Sequence, residues 1–126
     1  MYPAVMTAEI LRDNPDWVFV FGDNTVGVGY GGAAALRDEP NAYGFVTKIY
    51  PNDEDSSFFR PSNYVPTYLD QMQLLVAKIS NNPFKTFFIS KIGAGLANKY
   101  HIFEEIIKPS MPVLLKPYPN VVFMWD

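Results

Sequence analysis

Four short segments rich in β-branched and aromatic residues constrain the fold of this chain more than any other feature. They occupy residues 16–22, 42–49, 85–92 and 120–126. Each is bounded by turn residues, which is typical of β-strands. The first and last are nearly continuous apolar runs, the pattern of strands that are covered on both faces in a parallel sheet. The segments therefore predict a mostly parallel sheet.

Helical patterns fill the intervals between these strands. Thr7 is placed to cap a helix over 7–14, and a short helix over 31–39 follows a glycine-rich stretch. Residues 50–66 combine acidic, aromatic and proline residues and predict a long loop. Helices that alternate with buried strands are typical of an α/β domain.

The two remaining helices are predicted from apolar periodicity. Over 67–80 the apolar residues recur on one helical face, and Thr67 with Asp70 matches a capping box. A helix over 100–108 is expected to end at Pro109, because an interior proline breaks the hydrogen-bond ladder.

Composition excludes several classes of protein. With 126 residues, the chain is expected to form a single domain over 1–126. It has no cysteine and one histidine, His101, which excludes disulfides, cysteine nucleophiles and multi-histidine metal sites. A net charge of −3 without a basic run disfavours a binder of the nucleic-acid backbone. The sequence has no apolar run of membrane-spanning length and no signal-peptide pattern, so we expect a cytoplasmic protein. We also expect that the protein needs no metal or cofactor.

Glycine is frequent from the end of the first predicted strand onwards, at Gly22, Gly27, Gly29, Gly31 and Gly32. The spacing Gly27-x-Gly29-x-x-Gly32 matches a dinucleotide-binding fingerprint, but the acidic residue that should follow a second strand is missing, as is the lysine of a P-loop. Consecutive glycines let backbone N–H groups converge on an anion, and the following helix directs its N-terminus there. A tight strand-to-helix turn is the alternative. The stretch predicts phosphate or pyrophosphate binding.

A second glycine element, residues 90–100, follows the third predicted strand, and in it Gly93 and Gly95 flank Ala94. In a parallel sheet, ligands bind at the carboxyl ends of the strands, where both glycine elements are expected to lie. Two backbone cradles at one sheet edge suit a ligand that carries a diphosphate.

Four blocks of the sequence resemble the macro domain family, which binds ADP-ribose. Macro domains carry an asparagine after a buried strand, then a glycine-rich turn that opens a helix, and later a strand that runs into a second glycine loop. The chain is most similar to a macro-like group found in bacteria and their phages. The matching blocks are VFGDN at 20–24, GYGGAA at 29–34, YGFVTK at 43–48 and SKIGAGLA at 90–97.

The resemblance implies a three-layer α/β/α sandwich with a mostly parallel (mixed) central sheet and a ligand cleft at the strand ends. Asn24 stands where macro domains place an asparagine on the distal ribose, and an Asx turn is the alternative. Asp23 is a candidate to activate water, with a turn cap as the alternative. The residues expected to bind ligand are Gly22, Gly27, Gly29, Tyr30, Gly31, Gly32, Ala33, Thr47, Ile92, Gly93, Ala94, Gly95 and Leu96.

An aromatic side chain is expected to stack on the adenine. The candidates are Phe58, Phe59, Tyr64, Phe123 and Trp125, and packing in the core or a loop is the alternative for each. The predicted function is binding of ADP-ribose or a related NAD-derived nucleotide, and the sequence leaves open whether an ADP-ribosyl phosphate, ester or adduct is also hydrolysed. The alternative is a non-enzymatic protein that sequesters a nucleotide signal or inhibits a partner protein. No membrane partner is expected, and nucleic acid only as an ADP-ribosylated substrate.

Overall fold

A four-stranded sheet organises the protein, whose computed structural model describes residues 2–125. Every strand pair in the sheet is parallel, and the strand order is β2-β1-β3-β4. The α/β class and the parallel sheet are therefore confirmed. Within residues 2–125 the sheet has no antiparallel strand, and an isolated antiparallel bridge joins Lys48 to Phe58. All four predicted strands are present, and residue 126 of the last prediction lies outside the described residues. The strands are β1 (Trp17–Asn24), β2 (Ala42–Lys48), β3 (Thr86–Ile89) and β4 (Val121–Phe123).

The register brings the carboxyl ends of the three longest strands to one edge. Val20 of β1 aligns with both Tyr43 of β2 and Ile89 of β3. Between Asp23 and Asn24 the register shifts, so that Asn24 aligns with Lys48. Such a bulge bends the strand and re-aims its side chains. It lies where the first glycine-rich stretch leaves the sheet.

Alternate residues of β1 belong to two separate hydrophobic clusters. Val18 and Val20 pack in one cluster, and Phe19 and Phe21 pack in the other. Since successive side chains of a strand point to opposite faces, both faces of β1 are buried. This burial explains why its sequence is a continuous apolar run rather than an alternating one.

The first two helical segments follow the sequence prediction in part. Helix α1 covers Ala8–Asp13, and the Thr7 hydroxyl oxygen accepts a hydrogen bond from the Ile10 N–H at 3.2 Å, which confirms the predicted cap. After the glycines, the chain forms only a five-residue 3-10 helix, Gly32–Leu36. A helix this short carries little macrodipole. The predicted attraction of an anion to this N-terminus therefore depends on the first N–H groups of the 3-10 helix, and it stays a prediction.

Helix α2 covers Pro61–Ser80 and begins six residues earlier than predicted. The predicted capping box at Thr67 is wrong. The helix instead begins after Arg60, whose N–H donates to Asn63 Oδ1 at 2.8 Å. Pro66 lies inside the helix, but tertiary burial outweighs the single hydrogen bond it removes. The fully buried Tyr64 donates its hydroxyl to the Val46 carbonyl at 2.6 Å.

The last helical segment runs through the proline that was expected to end it. A π-helical turn, Phe103–Ile107, continues into helix α3, Lys108–Leu114. The predicted end at Pro109 is wrong, because the chain stays helical from the π-helical turn through this proline, and Pro112 also lies inside α3. Among the helices that the structure describes, none combines the length and apolarity needed to cross a bilayer.

Candidate functional site

A cleft of about 830 Å³ opens at the carboxyl ends of the strands, between the two glycine-rich segments. Ligand pockets usually have volumes of about 300–1,000 Å³. The predicted site residues that line it are Gly22, Asp23, Asn24, Gly29, Tyr30, Gly31, Gly32, Ala33, Thr47, Ile92, Gly93, Ala94, Gly95 and Leu96. Of the predicted residues, Gly27 alone is absent from this lining.

The Asn24 side chain holds the start of the first glycine-rich loop. Its Oδ1 accepts hydrogen bonds from the N–H groups of Val26 at 3.1 Å and Gly27 at 3.0 Å. Its Nδ2 donates to the Val28 carbonyl at 2.7 Å. These contacts form an Asx turn, the alternative open for Asn24 at the level of sequence. They also explain Gly27, whose N–H is used inside the turn rather than towards the cleft.

Asp23 is paired with an arginine that the sequence analysis did not select. Arg37 donates from Nη1 to Asp23 Oδ2 at 3.0 Å and from Nη2 to Oδ1 at 2.6 Å. The Arg37 and Asp23 side chains are only 14% and 13% exposed, so solvent screens the pair weakly. The hydrogen bonds that Arg37 donates to Asp23 are the main cause of a raised pKa of the Arg37 guanidinium, which stays charged. Both carboxylate oxygens thus accept from a cation in this geometry.

Arg37 also fixes the backbone of the glycine loop. Its Nε donates to the Gly29 carbonyl at 2.8 Å, and its Nη2 lies 3.2 Å from the Val28 carbonyl. The one sequence signal for this role is a single cation that ends the apolar segment GAAAL after the glycines. A planar guanidinium suits it, because its donors are held in a fixed fork.

Gly44 of β2 is a second residue that the sequence analysis did not select. A Cβ at this position would lie 2.5 Å from Asp23 Oδ2 and 3.0 Å from Asp23 Cβ. The Asp23 side chain therefore lies over the neighbouring strand at a point where only glycine leaves room. Gly44, Asp23 and Arg37 together connect β2, β1 and the glycine loop.

The first glycine loop keeps a run of backbone donors without partners. From residue 28 to residue 33, no N–H donates to another group of the described chain. Gly29 reaches this arrangement with φ of 99°, a value that an L-residue rarely adopts. Successive unpaired N–H groups beside a cleft are the usual protein means of holding an anion without a cationic side chain.

The second glycine loop adds donors on the opposite side of the cleft. The N–H of Ile92 donates to the Ser90 carbonyl at 2.7 Å, and that of Ala94 donates to the Lys91 carbonyl at 3.2 Å. The N–H groups of residues 93 and 95–97 have no acceptor in the described chain. Gly93 has φ of 79°, and a Cβ there would lie 2.6 Å from Ile107 Cδ1. The loop is therefore packed tightly onto the π-helical turn.

The two loops meet at the mouth of the cleft. A Cβ on Gly31 would lie 3.0 Å from Leu96 Cδ1. Leu96 is 70% exposed and Tyr30 is 59% exposed, although both are large and apolar. The Tyr30 hydroxyl donates to Asp38 Oδ2 at 2.9 Å, and this hydrogen bond is the main cause of the raised pKa of Tyr30.

Tyr30 is the one aromatic residue among the described lining residues of the cleft. The five aromatic residues considered for adenine stacking lie outside this lining. Phe59 and Tyr64 are buried in the core, and Phe123 packs against Trp125 at a ring-centroid distance of 4.8 Å. Phe58 has the Lys48 ammonium 4.6 Å from its ring centroid. These contacts show the five aromatic side chains in packing roles.

The charged residues of the cleft are already engaged within the protein. The Lys48 ammonium donates to the Asn52 carbonyl at 2.6 Å, and the Lys91 ammonium lies 5.4 Å from the ring centroid of Phe103. Within residues 2–125, no group of three or more histidine or acidic residues is placed to hold a metal ion. Backbone N–H groups are therefore the main ligand-binding chemistry that this cleft offers.

Comparison with known families matches residues 1–98 to one described as "Family of unknown function (DUF7831)". All residues that line the cleft lie within this range. No curated protein matches the chain. No solved structure matches it either.

Proposed function

The chain belongs to the DUF7831 family of unknown function, and we propose that it binds ADP-ribose or a related NAD-derived nucleotide in the cleft at the strand ends. The observation that carries this proposal is the pair of backbone cradles. Unpaired N–H groups of residues 28–33 and of residues 93 and 95–97 border the same cleft. A ligand with two linked phosphates uses both cradles at once.

The arrangement of the sheet supports a macro-like domain. Helices α1 and α2 pack in different hydrophobic clusters, on opposite faces of the sheet. Leu11 of α1 belongs to one cluster, and Leu75 of α2 belongs to the other. This division favours a three-layer α/β/α sandwich. A cleft at the carboxyl edge of a parallel sheet is also where such folds bind nucleotides.

The cleft favours a nucleotide over inorganic phosphate because of its size and its mouth. Its volume of about 830 Å³ is far larger than a phosphate ion requires. Tyr30 and Leu96 expose apolar surface beside the N–H donors. In the proposed complex they contact a ribose or a base while the loops hold the phosphates.

Binding without turnover is the second candidate, and the contacts of two side chains favour it. Asp23 accepts from Nη1 and Nη2 of Arg37, and the Asn24 amide is used to hold its own loop. A general base must reach the proton that it removes, and here the carboxylate is committed to a cation. On this reading, Asp23 and Asn24 position the loop, and the protein sequesters its nucleotide.

Thermal unfolding with and without ADP-ribose tests the proposal, using Gly95→Val as the blocking variant. Gly95 lines the cleft, has ordinary φ, and a Cβ there would have no heavy atom within 4 Å. The valine is therefore expected to occupy ligand space without strain. Ala77→Val, at an exposed position of α2, is the matched control.

We expect ADP-ribose to raise the melting temperature of the wild type and of Ala77→Val, because a ligand that binds only the native state stabilises it. Gly95→Val should melt normally and lose the shift. An absent shift in the wild type at millimolar ADP-ribose would refute nucleotide binding. An equal shift in Gly95→Val would show that the ligand binds elsewhere. Incubation with ADP-ribose-1″-phosphate and product analysis then separates hydrolysis from sequestration.

A further inference from the structure

A second cavity of about 410 Å³ lies at the opposite edge of the sheet, where the strands begin. Three cationic residues line it, Arg12 at the end of α1, Lys78 in the last turn of α2 and Lys85 just before β3. No acidic side chain is among its described lining residues. Three of the ten lysines and arginines thus converge on one cavity in a chain whose net charge is −3.

Helix C-termini usually attract cations, so the backbone carbonyls of this region are the first partners to consider. Asparagine side chains have already satisfied many of them. Asn41 Nδ2 donates to the carbonyls of Leu11 at 3.0 Å and Trp17 at 2.9 Å. Asn82 Nδ2 donates to the Lys78 carbonyl at 2.8 Å, and Asn120 Nδ2 donates to the Lys85 carbonyl at 2.9 Å. These carbonyls therefore do not need the cations as hydrogen-bond donors, although Arg12 and Lys78 lie in last helical turns, where the macrodipole favours a cation.

Ion pairing accounts for only one of the three cations. Arg12 Nε lies 2.9 Å from Glu39 Oε1, and Glu39 is outside the cavity lining. In the described chain, neither Lys78 nor Lys85 has a carboxylate within ion-pairing distance. Lys78 lies over the Tyr43 ring at 5.4 Å. Two of the three cations at the cavity, Lys78 and Lys85, therefore have no carboxylate of the described chain to pair with.

We propose that this cavity binds a small organic anion, a phosphate or carboxylate attached to an apolar body. The two lysines and Arg12 hold the anionic group at the rim. The body lies against the buried side chains of Leu11 and Val18 and against Pro40. This site is separate from the nucleotide cleft, since Val18 of β1 lines it, whereas Gly22, Asp23 and Asn24 of β1 line the cleft.

Amide chemical-shift titration of the intact protein tests this site, with phenyl phosphate and inorganic phosphate as probes. The amides of Val18, Asn41 and Ala42 report on the cavity, and those of the glycine loops report on the cleft. Phenyl phosphate should shift the cavity amides with a Kd about tenfold lower than that of inorganic phosphate, because only it carries an apolar body. Lys78→Gln and Lys85→Gln should each weaken its binding about fivefold.

Lys116→Gln makes the same charge change at an exposed site outside the cavity and should leave binding unchanged. An equal loss in that control would reduce the effect to non-specific attraction and overturn the site. Cavity amides that do not move at tens-of-millimolar phenyl phosphate would also overturn it. Equal affinities for phenyl phosphate and inorganic phosphate would overturn the claim that the cavity binds an apolar body. None of these outcomes depends on ADP-ribose binding.

Discussion

Replacing Arg37 with methionine is the most demanding test of how the first glycine loop is held. The variant keeps an unbranched chain of similar length but removes the guanidinium. It thereby deletes the two contacts with Asp23 at 3.0 and 2.6 Å and the bond to the Gly29 carbonyl at 2.8 Å. Asp23, 13% exposed, keeps only its hydrogen bond from the Asn24 N–H at 2.8 Å.

The expected loss follows from those contacts. Hydrogen bonds to charged groups contribute about 1.5–3 kcal/mol each, and bonds to a single guanidinium are not additive. Removing one partner of a weakly screened pair also leaves the other charge uncompensated. We therefore expect Arg37→Met to lower the free energy of unfolding by about 3 kcal/mol. At about 4 °C per kcal/mol, this corresponds to a melting temperature about 12 °C lower.

Urea unfolding of four proteins measures this effect: the wild type, Arg37→Met, Asp23→Asn and the double variant. The loss of unfolding free energy in the double variant should be much smaller than the sum of the two single losses, because each single variant already removes the same Arg37–Asp23 interaction. Arg60→Met is the control, since the Arg60 and Asp55 side chains are 52% and 60% exposed and such pairs contribute about 1 kcal/mol or less. A loss at Arg37 no larger than at Arg60, or additive single losses, would refute the reasoning.

Three further predictions concern other positions. Gly44→Ala places a Cβ 2.5 Å from Asp23 Oδ2, so it should lower the unfolding free energy in urea by about 1–3 kcal/mol and weaken ADP-ribose binding; normal affinity would contradict the role of Gly44. Gly93→Ala combines φ of 79° with a Cβ 2.6 Å from a buried isoleucine, and urea unfolding should show a loss of about 3 kcal/mol or more. Hydrogen bonds, chiefly from Tyr100, lower the pKa of Asp55 below 3.8, so the stability that they add is present above that pH and is lost as pH falls through the lower folded pKa. The melting-temperature difference between the wild type and Asp55→Asn should therefore shrink on acidification, and a difference independent of pH would contradict this.

The sheet could be predicted from sequence because its signals are local. A strand buried on both faces must be apolar along its whole length, and Val18, Phe19, Val20 and Phe21 show this without knowledge of their neighbours. The glycine loops could also be found from local sequence, because closely spaced glycines let neighbouring backbone N–H groups converge.

The helix boundaries required tertiary information. The propensity of Pro66 opposes an early start of α2, but burial of Tyr64 and its bond to the Val46 carbonyl outweigh it. Pro109 likewise indicates an end, yet the chain stays helical through it, from the π-helical turn into α3. Neither compensation is visible in the local sequence.

In the site, too, local sequence located the residues but only tertiary contacts determine their roles. From sequence alone, Asp23 is a candidate to activate water, and the resemblance to macro domains places Asn24 on the distal ribose. Their partners decide what they do, and the partner of Asp23 is Arg37, 14 residues away along the chain. The space that this pair requires depends on Gly44 of the neighbouring strand. Only the fold brings these three residues together.

An amide chemical-shift titration with ADP-ribose tests the central claim most directly, because it observes the proposed donors themselves. N–H groups that gain a phosphate acceptor should shift downfield. We predict saturable downfield shifts for residues 28–33 and for residues 93 and 95–97, in both loops at the same ligand concentration. Shifts confined to other parts of the chain, or to one loop, would contradict a nucleotide site built from two backbone cradles.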